Sequence, residues 1–248
     1  MNKANEVDIL DAGYPLLVEF KEKALGTYTH SRHISDILDT IGNELGLNTR
    51  NLKVSGMYHD IGKMITPLVF SENQLPDFNI HDNLDPWVSF TLISGHVAHT
   101  IQILFNDNNI SDEVIAICSQ HHGTTLAAYF AKKDAEAPEN NYRYPCKRPQ
   151  SLDAALLMLC DHLEARTRSE LNSGRITDKE GIEDLVETVF DHLVEDNQFD
   201  FVAVPNFKIL RMLKILLKKE FTELFADHKR IDYKGTTPST TKVITTED

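Results

Sequence analysis

Apolar residues recur at helical spacing along nearly the whole chain, and no stretch shows the sustained two-residue alternation of a half-buried strand. Residues 34–45 carry one such stripe, and Gly46 follows them as a typical helix stop. A chain of 248 residues can bury one sizeable core. The pattern therefore predicts an all-α bundle, with a single domain over residues 1–234 and a disordered Thr-rich tail over residues 235–248.

Capping residues predict where several helices begin. Asp85-Pro86 indicates the start of one helix that continues to about residue 105, and Ser151 indicates the start of a strongly apolar one. Thr177 and Glu180 form a predicted capping box. Residues 67–86 are polar, aperiodic and numerous enough to form a functional loop, which makes them a candidate lid.

A His-Asp dipeptide, His59-Asp60, closes an apolar-rich stretch and is followed by Gly62 and Lys63. Imidazole nitrogens and carboxylate oxygens together suit iron, manganese or zinc, and one carboxylate can bridge two ions. The dipeptide alone is weak evidence for a metal site, because about one such pair is expected by chance in a chain this rich in His and Asp. A second pair, His81-Asp82, is present in the candidate lid.

Other metal-binding residue types accompany the first pair in a fixed order. They are a His at the start of a helix, a single His, a His-His pair and an Asp within the apolar helix: His30, His96, His121-His122 and Asp161. With His59-Asp60 they supply enough nitrogen and carboxylate groups for two metals that share one carboxylate. An Asp among leucines also needs a partner, which a metal would provide.

The remaining histidines are assigned other roles. His33 and His99 lie three residues after two candidate ligands, on the same helical faces, and are expected behind the site or on the surface. His81 is expected to belong to a local turn that Asp82 stabilises. Three further histidines are expected to be solvated: His162, His192 and His228.

Composition narrows the choice of partners and location. The formal net charge of −13 argues against polymeric DNA or RNA, whose phosphates are neutralised by Lys and Arg, but it allows a small anionic substrate held by metal ions. The three cysteines lack CxxC spacing, which favours a reducing cytoplasm over a disulfide framework. We expect no membrane span, because no apolar run reaches about 18 residues. The oligomeric state is left open.

The ordered motifs resemble the HD superfamily of metal-dependent phosphohydrolases. Within it they resemble one branch closely, the cytosolic domain of seven-transmembrane HD proteins, which are the PgpH-type cyclic-di-AMP phosphodiesterases. The similarity extends from about residue 15 to residue 233. It is carried by GTYTHS at 26–31, YHDIGK at 58–63, ENQ at 72–74, NIHD at 79–82, QHHGTT at 120–125, RYP at 143–145 and RPQ at 148–150.

This resemblance implies an all-helical HD domain with a dinuclear site of manganese or iron. By position it implies that one metal is held by His30, His59, Asp60 and Asp161, and that Asp60 bridges to a second metal held by His96, His121 and His122. A hydroxide between the two ions would attack the phosphorus of cyclic di-AMP in line and yield linear pApA.

Three further side chains are candidates for contact with substrate. Lys63, which we also expect to act in catalysis together with Asp60, and Arg168 would add positive charge near the phosphate oxygens. Tyr144 is a candidate for stacking on adenine. Two alternatives are kept: an HD phosphohydrolase of another nucleotide (cyclic di-GMP, a cyclic oligonucleotide or a mononucleotide), and a non-catalytic nucleotide sensor.

Overall fold

The computed structural model describes residues 7–74 and 78–228. Within these ranges the chain forms ten α-helices and no β-sheet, with one isolated antiparallel bridge between Leu126 and Arg143. The all-α prediction is confirmed. The helices are α1 Pro15–Lys23, α2 Leu25–Leu45, α3 Thr49–Tyr58, α4 Pro86–Ser94, α5 His96–Phe105, α6 Asp112–Cys118, α7 Ala128–Lys133, α8 Leu152–Asn172, α9 Lys179–Glu195 and α10 Phe207–His228.

The main hydrophobic core surrounds α8. Leu156 and Leu163 of this helix are fully buried, and they share one cluster with Leu38 and Ile41 from the apolar stripe of α2. Leu217 of α10 completes the same cluster from another side. A helix that is apolar around most of its circumference must be enclosed by others, so α8 becomes the central helix of the bundle.

A second cluster lies on the other side of α3. It joins Phe20 of α1, Val54 and Tyr58 of α3, and Val114 of α6, whereas Leu52 of α3 belongs to the main core. Helix α3 is therefore held between two apolar clusters. This packing fixes the position of its carboxyl end, where the His-Asp dipeptide follows.

The prediction of a single helix after Asp85 is right about its start and wrong about its continuity. Asp85 does cap its start, because its side chain accepts hydrogen bonds from the N–H groups of Trp87 and Val88 at 2.9 and 3.3 Å. At Gly95, however, the chain divides into α4 and α5, and His96 begins the second helix. Glycine is a poor helix former, which explains why the division falls at this residue.

Another predicted boundary is also corrected. The cap of α9 is Asp178 and not Thr177, since the Asp178 carboxylate accepts from the N–H of Gly181 at 2.9 Å. A carboxylate is favoured there by the positive end of the helix dipole. Helix α1 begins at Pro15, which agrees with the preference of proline for the first position of a helix.

The described part of the candidate lid, residues 67–74 and 78–86, contains short 3₁₀ turns at Pro67–Val69, Ser71–Asn73 and Ile80–Asp82. His81 is buried in it, and its Nε2 lies 2.8 Å from the carbonyl oxygen of Val69. His81 therefore ties two of the turns together. Motion of the segment stays a prediction, as do the domain boundary at residue 234 and the tail at 235–248, which fall beyond the described residues.

One apolar stretch, Pro86–Phe105, is long and apolar enough by length and composition to cross a membrane, contrary to the expectation from the sequence. Its mean hydropathy over an 18-residue window is 1.3, and 33% of that window is buried. A single stretch of this kind is weak evidence, because core helices of soluble proteins pass the same test. This stretch is the one that divides at Gly95.

Candidate dinuclear metal centre

Five segments of the chain bring the seven predicted ligands to one buried place. The segments are α2, the end of α3, the start of α5, the turn after α6 and the middle of α8, which supply in turn His30, His59 with Asp60, His96, His121 with His122, and Asp161. Six of these side chains are buried and His122 is half-buried. They form two groups, and within each group the ligand atoms lie within 4.8 Å of one another.

Asp60 belongs to both groups and presents one oxygen to each. Its Oδ2 lies 3.7 Å from the Nε2 of His30 and 3.3 Å from the Nε2 of His59. Its Oδ1 lies 3.2 Å from the Nε2 of His96 and 3.6 Å from the Nε2 of His121. A carboxylate divided in this way has the geometry needed to bridge two cations.

The other two predicted ligands complete the groups. Asp161 joins the first group, with its Oδ1 3.1 Å from the Nε2 of His30 and 3.6 Å from that of His59. His122 joins the second group, and its Nδ1 lies 3.8 Å from the Oδ2 of Asp161. The first group therefore holds two carboxylates and two imidazoles, whereas the second holds one carboxylate and three imidazoles.

Backbone carbonyls fix the tautomers of three imidazoles. The Nδ1 atoms of His59, His96 and His121 lie 2.9, 2.6 and 2.6 Å from the carbonyl oxygen three residues earlier. A carbonyl only accepts, so each Nδ1 carries a hydrogen, and each ring in its neutral form would direct the lone pair of its Nε2 into the centre. The Nε2 atoms of His96 and His121 face each other at 3.2 Å, an arrangement that a cation between them would stabilise.

Two buried atoms support the same conclusion. Among the described residues, the Nε2 of His59 and the Oδ1 of Asp60 have no hydrogen-bond partner. Leaving such atoms unpaired costs about 1–3 kcal/mol each. Nitrogen and carboxylate oxygen are also the donor set that iron, manganese and zinc accept. The residues present therefore fit divalent transition-metal ions.

The two groups differ in their electrostatics, and the first stabilises positive charge. Burial lowers the pKa of His30, but the carboxylates of Glu164 and Asp161 outweigh burial and raise it to about 9. Burial likewise lowers the pKa of His59, but Asp60 and Asp161 raise it to about 10. The same carboxylates that stabilise protons on these rings would stabilise a metal cation that replaces the protons.

The second group consists mainly of neutral imidazoles. Burial lowers the pKa of His121, and burial together with the neighbouring His121 and His96 lowers that of His122 well below its usual value. Neutral imidazole is the form that ligates metals. His121 and His122 therefore offer nitrogen lone pairs without first having to lose protons.

Lys63 lies against the shared carboxylate. Its Nζ is 2.7 Å from the Oδ2 of Asp60 and 3.2 Å from the Oε1 of Glu72. Burial raises the pKa of Asp60, but Lys63 and His59 outweigh it and hold that pKa well below its ordinary value. No role was predicted for Glu72 from the sequence, although it lies in the ENQ motif at 72–74.

Arg168 and Tyr144 contact different residues of the site. The Nη2 of Arg168 lies 3.8 Å from the Oε2 of Glu164, one helical turn earlier. The ring of Tyr144 stacks on His122 with centroids 4.1 Å apart and an angle of 27°. One face of Tyr144 is thus occupied by a predicted ligand, so stacking on a nucleotide base would have to use the other face.

His162 was expected to be solvated, and this prediction is wrong. It is half-buried, and one of its ring nitrogens lies within 4.8 Å of ligand atoms of His122 and Asp161. Its Nδ1 lies 2.9 Å from the carbonyl oxygen of Met158. Its position next to Asp161 in the sequence was the available signal. His192 is exposed, as expected.

Three histidines remain among those that were not predicted as ligands: His33, His99 and His228. His33 and His99 are half-buried and are not members of either ligand group. The side chain of His228 is outside the part of the chain that is described.

The His121-His122 turn is held by a clamp that the sequence did not reveal. The fully buried Gln198 accepts a hydrogen bond from the N–H of Thr124 at 3.0 Å, and its Nε2 donates to the Oγ1 of Thr124 at 3.0 Å. Gly123 has a φ of +50°, and a Cβ there would meet the Oε1 of Gln198 at 2.4 Å. Glycine is required at this turn for both reasons.

The clamp continues into a charged pair. The guanidinium of Arg143 lies 2.9 Å from the carboxylate of Asp196, whose Oδ2 also accepts a hydrogen bond from the Nε2 of Gln198 at 2.9 Å. Asn197, between these two residues, has a φ of 57°. The turn after α9 therefore positions two predicted ligands from more than 70 residues away, and periodicity carries no signal of this.

The fold and the cluster together define a class of protein, an all-α domain built around a His-Asp dipeptide and a buried set of His and Asp side chains. The sequence model of the HD domain family matches residues 27–166, more than half of the chain, and the chain belongs to this family. The resemblance noted from the sequence motifs is thereby confirmed.

Relatives and solved structures agree with this assignment. The chain is 34% identical over 213 residues to a protein of Listeria monocytogenes serotype 1/2a, strain 10403S, named cyclic-di-AMP phosphodiesterase PgpH, covering 83% of this chain and 29% of the relative. It is 31% identical to the Bacillus subtilis strain 168 protein of the same name, covering 96% of this chain and 32% of the relative. The chain thus spans less than a third of the length of each of these relatives.

The solved HD domain of the L. monocytogenes phosphodiesterase PgpH is also similar. Its crystal structure matches with a TM-score of 0.78 and 31% identity over 86% of this chain and 99% of that chain. A second crystal structure of that domain, in complex with cyclic-di-AMP, matches with a TM-score of 0.78 and 30% identity over 86% of this chain and 99% of that chain.

Proposed function

We propose that this chain is a metal-dependent phosphodiesterase that hydrolyses a cyclic dinucleotide, specifically cyclic di-AMP to linear pApA. The observation that carries the proposal is the divided carboxylate of Asp60, with one oxygen facing each of two imidazole groups. The names of the similar proteins support phosphodiester hydrolysis, and the complex of the similar HD domain supports cyclic di-AMP as the substrate.

The residues fit a cofactor of two divalent ions, manganese or iron. One would be held by His30, His59 and Asp161, the other by His96, His121 and His122, with Asp60 shared between them. When bound, such ions supply Lewis acidity toward the phosphate and lower the pKa of water so that it can act as a nucleophile.

The chain's own residues prepare this chemistry. The buried carboxylates of the first group stabilise positive charge, and the backbone carbonyls orient the imidazoles with Nε2 toward the centre. Lys63 lies beside Asp60 and places a positive charge where phosphate oxygens would approach. Arg168, about one fifth exposed, supplies a second cation. A small dianionic substrate is compatible with the net charge of −13 because binding is decided by these local cations.

The test is hydrolysis of cyclic di-AMP beside cyclic di-GMP and a mononucleotide, with Mn²⁺ or Fe²⁺, followed by chromatography of the products. Asp60→Ala removes the shared carboxylate and is expected to abolish turnover. Asp36→Ala is the matched control, because Asp36 is an exposed residue of α2. The control should match the wild type.

Each outcome has a distinct meaning. Appearance of pApA, lost in Asp60→Ala alone, supports both the reaction and the substrate. Cleavage of another nucleotide only would keep the reaction and overturn the substrate. Binding of cyclic di-AMP without cleavage by metal-loaded protein would overturn the reaction and favour a sensor.

A further inference from the structure

The imidazole of His30 is braced differently from those of three other predicted ligands. Its Nδ1 lies 2.7 Å from the Oε2 of Glu164, whereas the Nδ1 atoms of His59, His96 and His121 each face a neutral backbone carbonyl. A carboxylate partner raises the basicity of an imidazole ligand more than a carbonyl does, since it stabilises positive charge on the ring. The difference is therefore one of ligand strength as well as orientation.

Glu164 is built into the core and cannot be an incidental surface contact. Its side chain is fully buried on α8, three residues after Asp161 and therefore on the same helical face. Arg168 lies one further turn along, with its Nη2 3.8 Å from the Glu164 carboxylate. Arg168 approaches the same Oε2 that faces His30, at the longer distance, and offsets part of the cost of burying this carboxylate.

The charges around the two groups are unequal even before Glu164 is considered. Asp60 is shared, and Asp161 lies 3.1 Å from the Nε2 of His30 but 3.8 Å from the Nδ1 of His122. With Glu164 behind His30, the first group has three carboxylates in contact with its imidazoles. The second group has two, Asp60 and the more distant Asp161.

We propose that Glu164 is a positioning residue that makes the His30 metal position the tighter of the two, so that this position fills first. The inference rests on the proposed dinuclear function. Glu164 acts through His30 by holding the ring with its Nε2 toward the centre and by increasing the donor strength of that nitrogen. Loss of such a partner typically weakens metal affinity by about 10- to 100-fold.

The test is titration of chelator-treated protein with Mn²⁺, with free Mn²⁺ counted by electron paramagnetic resonance and the data fitted to two successive association constants. Glu164→Gln keeps the size of the side chain and one acceptor oxygen but removes the charge. Glu164→Ala also removes the acceptor. Glu187→Gln is the matched control, because it makes the same change at a glutamate of α9 that is paired with Lys214 and Lys218 of α10.

We expect the tighter constant to fall by about 10- to 100-fold in Glu164→Ala and by less in Glu164→Gln, with the weaker constant and the control unchanged. The His30→Ala background separates positioning from general destabilisation, since Glu164→Gln should then have no additional effect on Mn²⁺ affinity. An additional loss in that background, or equal weakening of both constants, would show a structural role and overturn the proposal.

Two results would identify which idea had failed. Two bound ions in the wild type, with both constants unchanged in Glu164→Gln and Glu164→Ala, would overturn the role of Glu164 and keep the dinuclear function. Fewer than two bound ions in the wild type would overturn the dinuclear function and this inference with it.

Discussion

Replacing Gly62 by Ala tests whether the spacing between the His-Asp dipeptide and α5 decides metal binding. The N–H of Gly62 donates to the Oγ1 of Thr100 at 2.9 Å, so the two segments are in direct contact. A Cβ on Gly62 would lie 2.1 Å from the carbonyl oxygen of His96 and 2.5 Å from the amide nitrogen of Thr100. Real Cβ atoms essentially never come within 3.0 Å of such atoms, so the segments must separate by nearly an ångström.

This separation moves a predicted ligand away from the shared carboxylate. The Nε2 of His96 is now 3.2 Å from the Oδ1 of Asp60, and both atoms that obstruct the Cβ of Gly62→Ala are backbone atoms of α5. Overpacking of this kind costs about 1–3 kcal/mol. At about 2–4 °C per kcal/mol for a chain of this size, the melting temperature should fall by about 2–12 °C. A displacement of about 1 Å in a catalytic centre can also lower turnover by about 100-fold.

The measurements are thermal unfolding of the metal-free protein, the number of Mn²⁺ ions bound, and cyclic di-AMP hydrolysis. Gly95→Ala is the control, because it lies directly before His96 but its Cβ would be 3.2 Å from the carbonyl oxygen of Thr91, a contact that a small adjustment relieves. Gly62→Ala should lose metal at the second position and the control should not. Wild-type stability and full metal binding in Gly62→Ala would refute the reasoning.

Three other substitutions test the surroundings of the centre. Gln198→Ala leaves the N–H and hydroxyl of Thr124 without this partner. We expect the free energy of unfolding, measured with denaturant, to fall by about 1–3 kcal/mol and Mn²⁺ binding to weaken. Unchanged Mn²⁺ binding would contradict the clamp. Burial raises the pKa of Asp196, but its bonds with Arg143 and Gln198 lower it overall, so its stabilising effect is present above about pH 4 and is lost as the pH falls through the lowered pKa. The difference in melting temperature between wild type and Asp196→Asn should therefore be largest near pH 6 and decrease as the pH falls below about 4, and a difference independent of pH would contradict this ion pair. Leu156→Ala, at a fully buried position in the first half of α8, should cost about 2–5 kcal/mol in denaturant unfolding, and a loss below about 1 kcal/mol would show that α8 is not the central helix.

Much of the fold could be predicted because helices are specified by local sequence. The apolar stripe of α2, its stop at Gly46 and the cap of α8 by Ser151 all lie where spacing and capping preferences place them. Errors occurred where two local signals competed. Thr177 and Asp178 are adjacent and can both cap a helix, so the start of α9 was predicted one residue too early. The division between α4 and α5 was missed because its glycine lies within an apolar run.

The residue types of the candidate centre were also present in the sequence. The chemistry of imidazole and carboxylate, together with the order of the motifs, was enough to nominate seven side chains that the fold brings into one cluster. The same reasoning failed for His162. Adjacent residues on a helix point in different directions, so His162 was expected to point away from the centre, but the sequence does not show how closely His122 approaches it.

Only the tertiary structure decided how these groups are arranged. It places one oxygen of Asp60 toward each imidazole group, joins His30 to Glu164 across 134 residues, and joins Thr124 to Gln198 across 74 residues. Helical periodicity describes contacts within a few residues, whereas these contacts depend on how whole helices pack. The sequence by itself therefore determined the helices and the candidate ligands, and the packing of α2, α3, α5 and α8 determined that the ligands converge in two unequal groups.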